Sequence, residues 1–180
     1  MLAGAAAGLG TFPFLVGGCT ENLTPAEARH RGATLQSLTA QEARILDAFG
    51  EVLLPGSPER GLAHFVDHNL TVPAARNLLI IRNLDVPPPF VDFYRAGLAA
   101  LEAHAQDRTG RSFAELREGE AERLVGELAK APVAGWNGPP SPLFYFAVRS
   151  DAVDVFYGTQ EGIESLGVPY MAHIAAERPW

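Results

Sequence analysis

Apolar residues recur three and four positions apart along most of this chain, and that spacing predicts helices. From Thr39 to Pro55 the residues Ile45, Leu46, Phe49, Val52 and Leu53 share one helical face. Thr39 and Glu42 have capping-box spacing at its start, and Pro55-Gly56 stops it. A shorter helix is predicted from Leu62 to Leu70, on the stripe Leu62, Phe65, Val66 and Leu70; Pro73 ends it, and residues 74–84 add another helical piece. Pro87-Pro88-Pro89 is a stiff break. The strongest pattern follows over 90–107, where Phe90, Phe93, Tyr94, Gly97, Leu98 and Leu101 align. Ser112 and Glu115 have the spacing of a second capping box, and Leu116, Leu124, Val125 and Leu128 carry a helix to Lys130. A Pro/Gly-rich loop surrounds Trp136. Residues 143–157 then read as a buried helix, and the tail from Gly158 to Trp180 as irregular. No alternating run bounded by turns stands out. The pattern predicts an all-α fold, an irregular helical bundle with Pro/Gly-rich loops.

The N-terminal segment breaks this pattern. Residues 1–20 carry no charge, and Phe14-Leu15-Val16-Gly17-Gly18 leads into Cys19, the only cysteine. Apolar residues, two small ones and a thiol are similar to the lipobox of bacterial lipoproteins, cut before a cysteine that is then lipidated. A secretory signal also carries a positive n-region, and nothing basic precedes Arg29. An uncleaved anchor and a disordered Ala/Gly tail fit too, although Pro13 and the shortness of the run disfavour a bilayer span, which takes about 20 apolar residues. The organisation expected is a signal-like or anchor segment over 1–19, a polar linker over 20–34 and one helical domain over 35–180.

Charge and composition narrow the function. A net charge of −7 argues against nucleic acid, which calls for a basic face. Charged residues make up only 19% of 180 positions; this suits a subunit that buries surface against a partner. One cysteine excludes a disulfide framework and a cysteine-rich metal site.

Catalytic constellations are sparse. His64 and His68 lie four apart on a predicted helix, but Phe65 stands where the zinc protease pattern needs Glu. His30, His104 and His173 lack metal-like spacing. There is no Gly-x-Ser-x-Gly elbow and no phosphate-cradling glycine loop. Glu115, Glu118, Glu120 and Glu122 form an acidic run that suits a helix start. The densest aromatic cluster is Phe144-Tyr145-Phe146 with Phe156-Tyr157. Three consecutive helical residues cannot all face one core stripe, so part of this cluster is expected to meet a partner. Phe144, Tyr145, Phe156, Tyr157, Gly158 and Trp180 are the candidate interface residues, and Cys19 the candidate lipidation site.

Five stretches in order resemble one family. They are Leu38-Thr39-Ala40-Gln41-Glu42 with Leu53-Leu54-Pro55-Gly56; Gly61-Leu62-Ala63-His64-Phe65-Val66-Asp67; Phe93-Tyr94-Arg95-Ala96-Gly97-Leu98-Ala99-Ala100-Leu101; Phe113-Ala114-Glu115-Leu116; and Asp154-Val155-Phe156-Tyr157-Gly158 with Gly167-Val168-Pro169-Tyr170. Together they resemble the gluconate 2-dehydrogenase subunit 3 family, small subunits of membrane-associated flavoprotein dehydrogenases acting on sugars and sugar acids. The resemblance implies a non-catalytic subunit with no cofactor of its own. FAD would sit on a large partner subunit, with a cytochrome c subunit often carrying electrons onward, on the periplasmic side of the inner membrane. It also implies a twin-arginine signal that helps the loaded flavoprotein cross folded; twin arginines are absent here. The pattern departs at Val155 and at Gly158-Thr159-Gln160, where the family has Pro and a second Gly with Asn. A structural subunit of another membrane complex, docked through the N-terminal segment, is the alternative expectation.

Overall fold

The computed structural model describes residues 10–167. Among them the order is a hairpin of β1 (Phe12–Val16) and β2 (Cys19–Leu23), then α1 (Pro25–His30), α2 (Ala40–Leu53), α3 (Leu62–Thr71), α4 (Phe90–Thr109), α5 (Glu118–Lys130), α6 (Ser141–Tyr157) and α7 (Gln160–Ser165). The fold is helical, as the periodicity predicts, apart from that one two-stranded sheet.

Helix α2 is the hub, touching α3, α4, α5 and α6. Its start is built as the sequence implies: Glu42 N donates to Thr39 Oγ1, and Thr39 N donates to the Glu42 carboxylate. Ile45, Leu46 and Phe49 point into one continuous core with Leu62, Phe65, Leu98, Leu101, Leu124, Leu128, Val148 and Val155. Phe49 lies between two rings, edge-on to Phe113 at 6.0 Å and stacked on Phe144 at 5.6 Å. Gly97 lets α4 and α6 close together; a Cβ there would stand 2.3 Å from the Phe144 ring.

Two buried carboxylates pin the loops. Asp67 of α3 accepts from the backbone N–H groups of Gln36, Ser37 and Leu38, at 2.7–2.8 Å. That satisfies an irregular segment otherwise left without partners. Asp151 of α6 accepts from the Tyr94 hydroxyl and from Ile80 N. Burial pushes its carboxyl up to about 7, and burial also holds the Tyr94 phenol well above its ordinary value.

Several expectations are corrected. The stretch expected as a signal-like segment and polar linker contains the hairpin and α1. Gly17 (φ 57°) and Gly18 (φ 88°) form its two-residue turn, with Val16 paired to Cys19. Positive φ at both turn positions matches the twist of a hairpin and favours glycine. Helix α1 has its own capping box, Thr24 with Glu27, and Arg29 pairs with Asp47 of α2. Residues 74–84 hold two short 3-10 turns, at Ala74–Arg76 and Ile80–Asn83, in place of a helix. The second capping box does not form: the Ser112 hydroxyl and Phe113 N both donate to Glu102 of α4, leaving a 3-10 turn at Phe113–Glu115. Helix α5 starts three residues later, where the Glu120 carboxylate accepts from Arg117 N. The expected irregular tail begins with α7, whose start is fixed by Gly162 N donating to Thr159 Oγ1.

Candidate partner-binding surface

Helix α6 is apolar on nearly every side, and only part of that surface faces the core. Ser141, Phe144, Ala147, Val148, Asp151, Ala152 and Val155 form the inward face. The opposite side presents Phe146 at 46% exposure and Val153 at 38%. Phe146, Val153 and Tyr157 are separated by seven and four residues, so they align along one stripe about 16 Å long. Tyr157 within it and Tyr145 beside it are half-buried, and Arg149 and Asp154 are exposed at its edges. Among the described residues the outer side of this apolar helix stays partly exposed, a surface of the kind proteins use for partners.

Phe144 belongs to the core. It is 0% exposed, lies against Gly97, and stacks on Phe49. The exposed member of the aromatic run is Phe146, two residues on, which is absent from the candidate interface residues named from sequence. The wheel carries that signal: with Phe144 turned inward, Phe146 is rotated by about 200°. Phe156 is half-buried beneath the Arg60 guanidinium, 5.4 Å from its ring centroid, and beside Tyr157 at 4.8 Å. Gly158 closes α6 with its N–H on Asp154 O at 2.9 Å, and its φ of −69° is open to any residue. Trp180 lies outside the described residues.

His64 and His68 share a face of α3, as their spacing implies, but that face is turned to the hairpin. Phe12 lies 4.9 Å and Phe14 5.5 Å from the His68 ring, and His64 Nε2 meets Ala33 O at 3.2 Å. Burial lowers the pKa of both rings. Among the described residues, no group of three or more His, Cys, Asp or Glu is placed to hold a metal ion, and no helix is long and apolar enough to cross a membrane. Cys19 is exposed at the first position of β2.

The described residues form a small helical domain with a partly exposed apolar stripe on α6. A sequence model of gluconate 2-dehydrogenase subunit 3 matches residues 40–173. The chain belongs to the gluconate 2-dehydrogenase subunit 3 family. The match starts at α2, so the hairpin and α1 precede it. No curated protein and no solved structure matches the chain significantly.

Proposed function

We propose that this chain is the accessory, non-catalytic small subunit of a membrane-associated dehydrogenase complex on the periplasmic side of the inner membrane. It binds a large FAD-bearing subunit, steadies it, and helps it cross the membrane in its folded, flavin-loaded state. A cytochrome c subunit completes the electron path. Family membership supports the assembly part of this reading. The observation that carries it is the stripe of Phe146, Val153 and Tyr157 on α6. Phe146 and Val153, its exposed members, have the apolar character of an interface centre.

Such a division of labour suits a flavin-bearing partner. A flavin must be enclosed by its protein before it leaves the compartment that makes it, so its carrier crosses folded. A small partner that covers apolar surface on the folded carrier lowers its free energy by mass action without touching the reacting atoms. The buried carboxylates of the small subunit, Asp67 and Asp151, are engaged by its own backbone and by Tyr94, and so hold its shape.

Mild-detergent purification through a tag on this chain tests the reading. It predicts a co-purifying large subunit with flavin absorbance and sugar or sugar-acid dehydrogenase activity. Recovery in a membrane complex with no flavoprotein would support the alternative structural role. Flavin binding or turnover by the isolated chain would overturn the accessory assignment.

A further inference from the structure

We propose that strand β1 is a permanent part of the folded chain, and that Cys19 remains an internal hairpin thiol instead of becoming a lipid-bearing N-terminus. The lipobox-like pattern and the hairpin use the same residues, and the two readings are incompatible. Cutting before Cys19 would remove β1 entirely. In the structure β1 is one of the two strands of the N-terminal sheet. It pairs along its length with β2 on one edge, from Phe12 opposite Leu23 to Val16 opposite Cys19. On its other edge Leu15 O accepts from Thr34 N at 2.8 Å.

The side chains of β1 are tied into the fold as firmly as its backbone. Phe14 is 3% exposed and forms a small core with Leu23, Ala28 and Ala33. Phe12 reaches the main core, edge-on to Phe65 at 6.2 Å. Both rings cover His68. Without β1 the inner sides of Leu23 and Ala28 lose their cover, β2 loses its pairing partner, and the His64 and His68 face of α3 opens to water. An address segment is made to be discarded. A strand with an inner edge, an outer edge and a buried aromatic face is built to stay. Gly17 and Gly18, which match the small residues of a cleavage site, are accounted for by the turn. Any processing of the exported chain therefore falls upstream of Phe12.

This inference does not depend on which partner the chain binds, and its test is separate. The chain is purified from the cells that naturally make it, and its thiol content and peptide map are measured. Cys19 is the sole cysteine and is exposed, so the native protein is expected to titrate one thiol per chain and to yield peptides running unbroken from β1 through Cys19. Zero thiols, an acyl mass on Cys19 and no β1 peptide would overturn the proposal. A thermal melt gives a second readout. A chain starting at Cys19, and a Phe12→Ala/Phe14→Ala variant of the full chain, are both expected to melt roughly 10 °C below the full chain. Equal midpoints for all three would contradict the structural argument.

Discussion

The Tyr94 hydroxyl donates to Asp151 Oδ2 inside the core, and this bond ties α4 to α6. The same carboxyl accepts from Ile80 N at 3.2 Å through its other oxygen. Three elements meet at one buried group, directly behind the exposed stripe of α6.

The pH response of this group follows from its folded-state pKa of about 7 against an ordinary 3.8. Between those values the folded chain holds a proton that the unfolded chain has released. Stability contributed by Asp151 therefore falls as pH rises through that window and levels off above about 7. Asp151→Asn keeps an acceptor for Ile80 N and removes the titration. Chemical denaturation across this range is expected to show the variant gaining on the wild type as pH rises, by a few kcal/mol at about 1.4 kcal/mol per pKa unit. Parallel curves would refute the assignment. Tyr94→Phe is expected to cost about 1–3 kcal/mol.

His64 and His68 titrate with the opposite sign. Burial lowers both pKa values from 6.5, with nearby Asp67 opposing the shift. The unfolded chain then binds protons more readily, so stability is complete above pH 6.5 and declines as the solution is acidified below it. Urea unfolding of His68→Gln should show a shallower decline between neutral and mildly acidic pH than the wild type shows.

Loss of the Asp67 carboxylate is expected to be costly. Asp67→Ala strands the three backbone donors of residues 36–38, at a cost of about 3–5 kcal/mol. Asp67→Asn keeps the bonds of Oδ1 to Ser37 and Leu38 and sets an amide against Gln36 N–H, so its stability should fall between wild type and Asp67→Ala. Thermal melts of the three proteins give this order.

Gly97 is held by space. Gly97→Ala places a methyl 2.3 Å from the Phe144 ring. The ring and α4 must shift apart, at about 1–3 kcal/mol, which outweighs the gain of about 1 kcal/mol in helix propensity. A melting point above that of the wild type would show that the helices give way freely.

Much of this fold is legible in the sequence, because its long helices carry their own instructions. The spacing of Ile45, Leu46 and Phe49, the Thr39–Glu42 box and the Pro55-Gly56 stop together define α2. The hairpin is hidden because Phe12–Val16 is nearly all apolar; such a run reads equally as a signal core or as a strand. The two glycines are a hairpin turn signal that equally matches the small residues of a cleavage site. Ser112 shows a different limit. Its spacing to Glu115 is right for a cap, yet Glu102 from another helix takes its hydroxyl, a competition that no local pattern contains. For the candidate surface, sequence places the aromatic run on α6, while the choice of Phe144 as inward and Phe146 as outward is set by the space beside Gly97.

The outward face tolerates change at a modest cost to the fold. Phe146 and Val153 are 46% and 38% exposed, so Phe146→Asp and Val153→Asp each lose part of their burial, and chemical denaturation of the isolated chain is expected to show a cost of about 1–2 kcal/mol apiece with the chain still folded.

The most direct measurement is therefore the flavin recovered per small subunit when the complex is captured through this chain, for the wild type and for the Phe146→Asp/Val153→Asp double variant. The account predicts a fixed flavin-to-subunit ratio for the wild type and loss of most of that flavin for the variant, whose isolated chain is shown by denaturation to remain folded. A wild type that captures no flavoprotein, or a variant that retains it in full, would contradict the claim that this helical chain docks a flavin-bearing partner through α6.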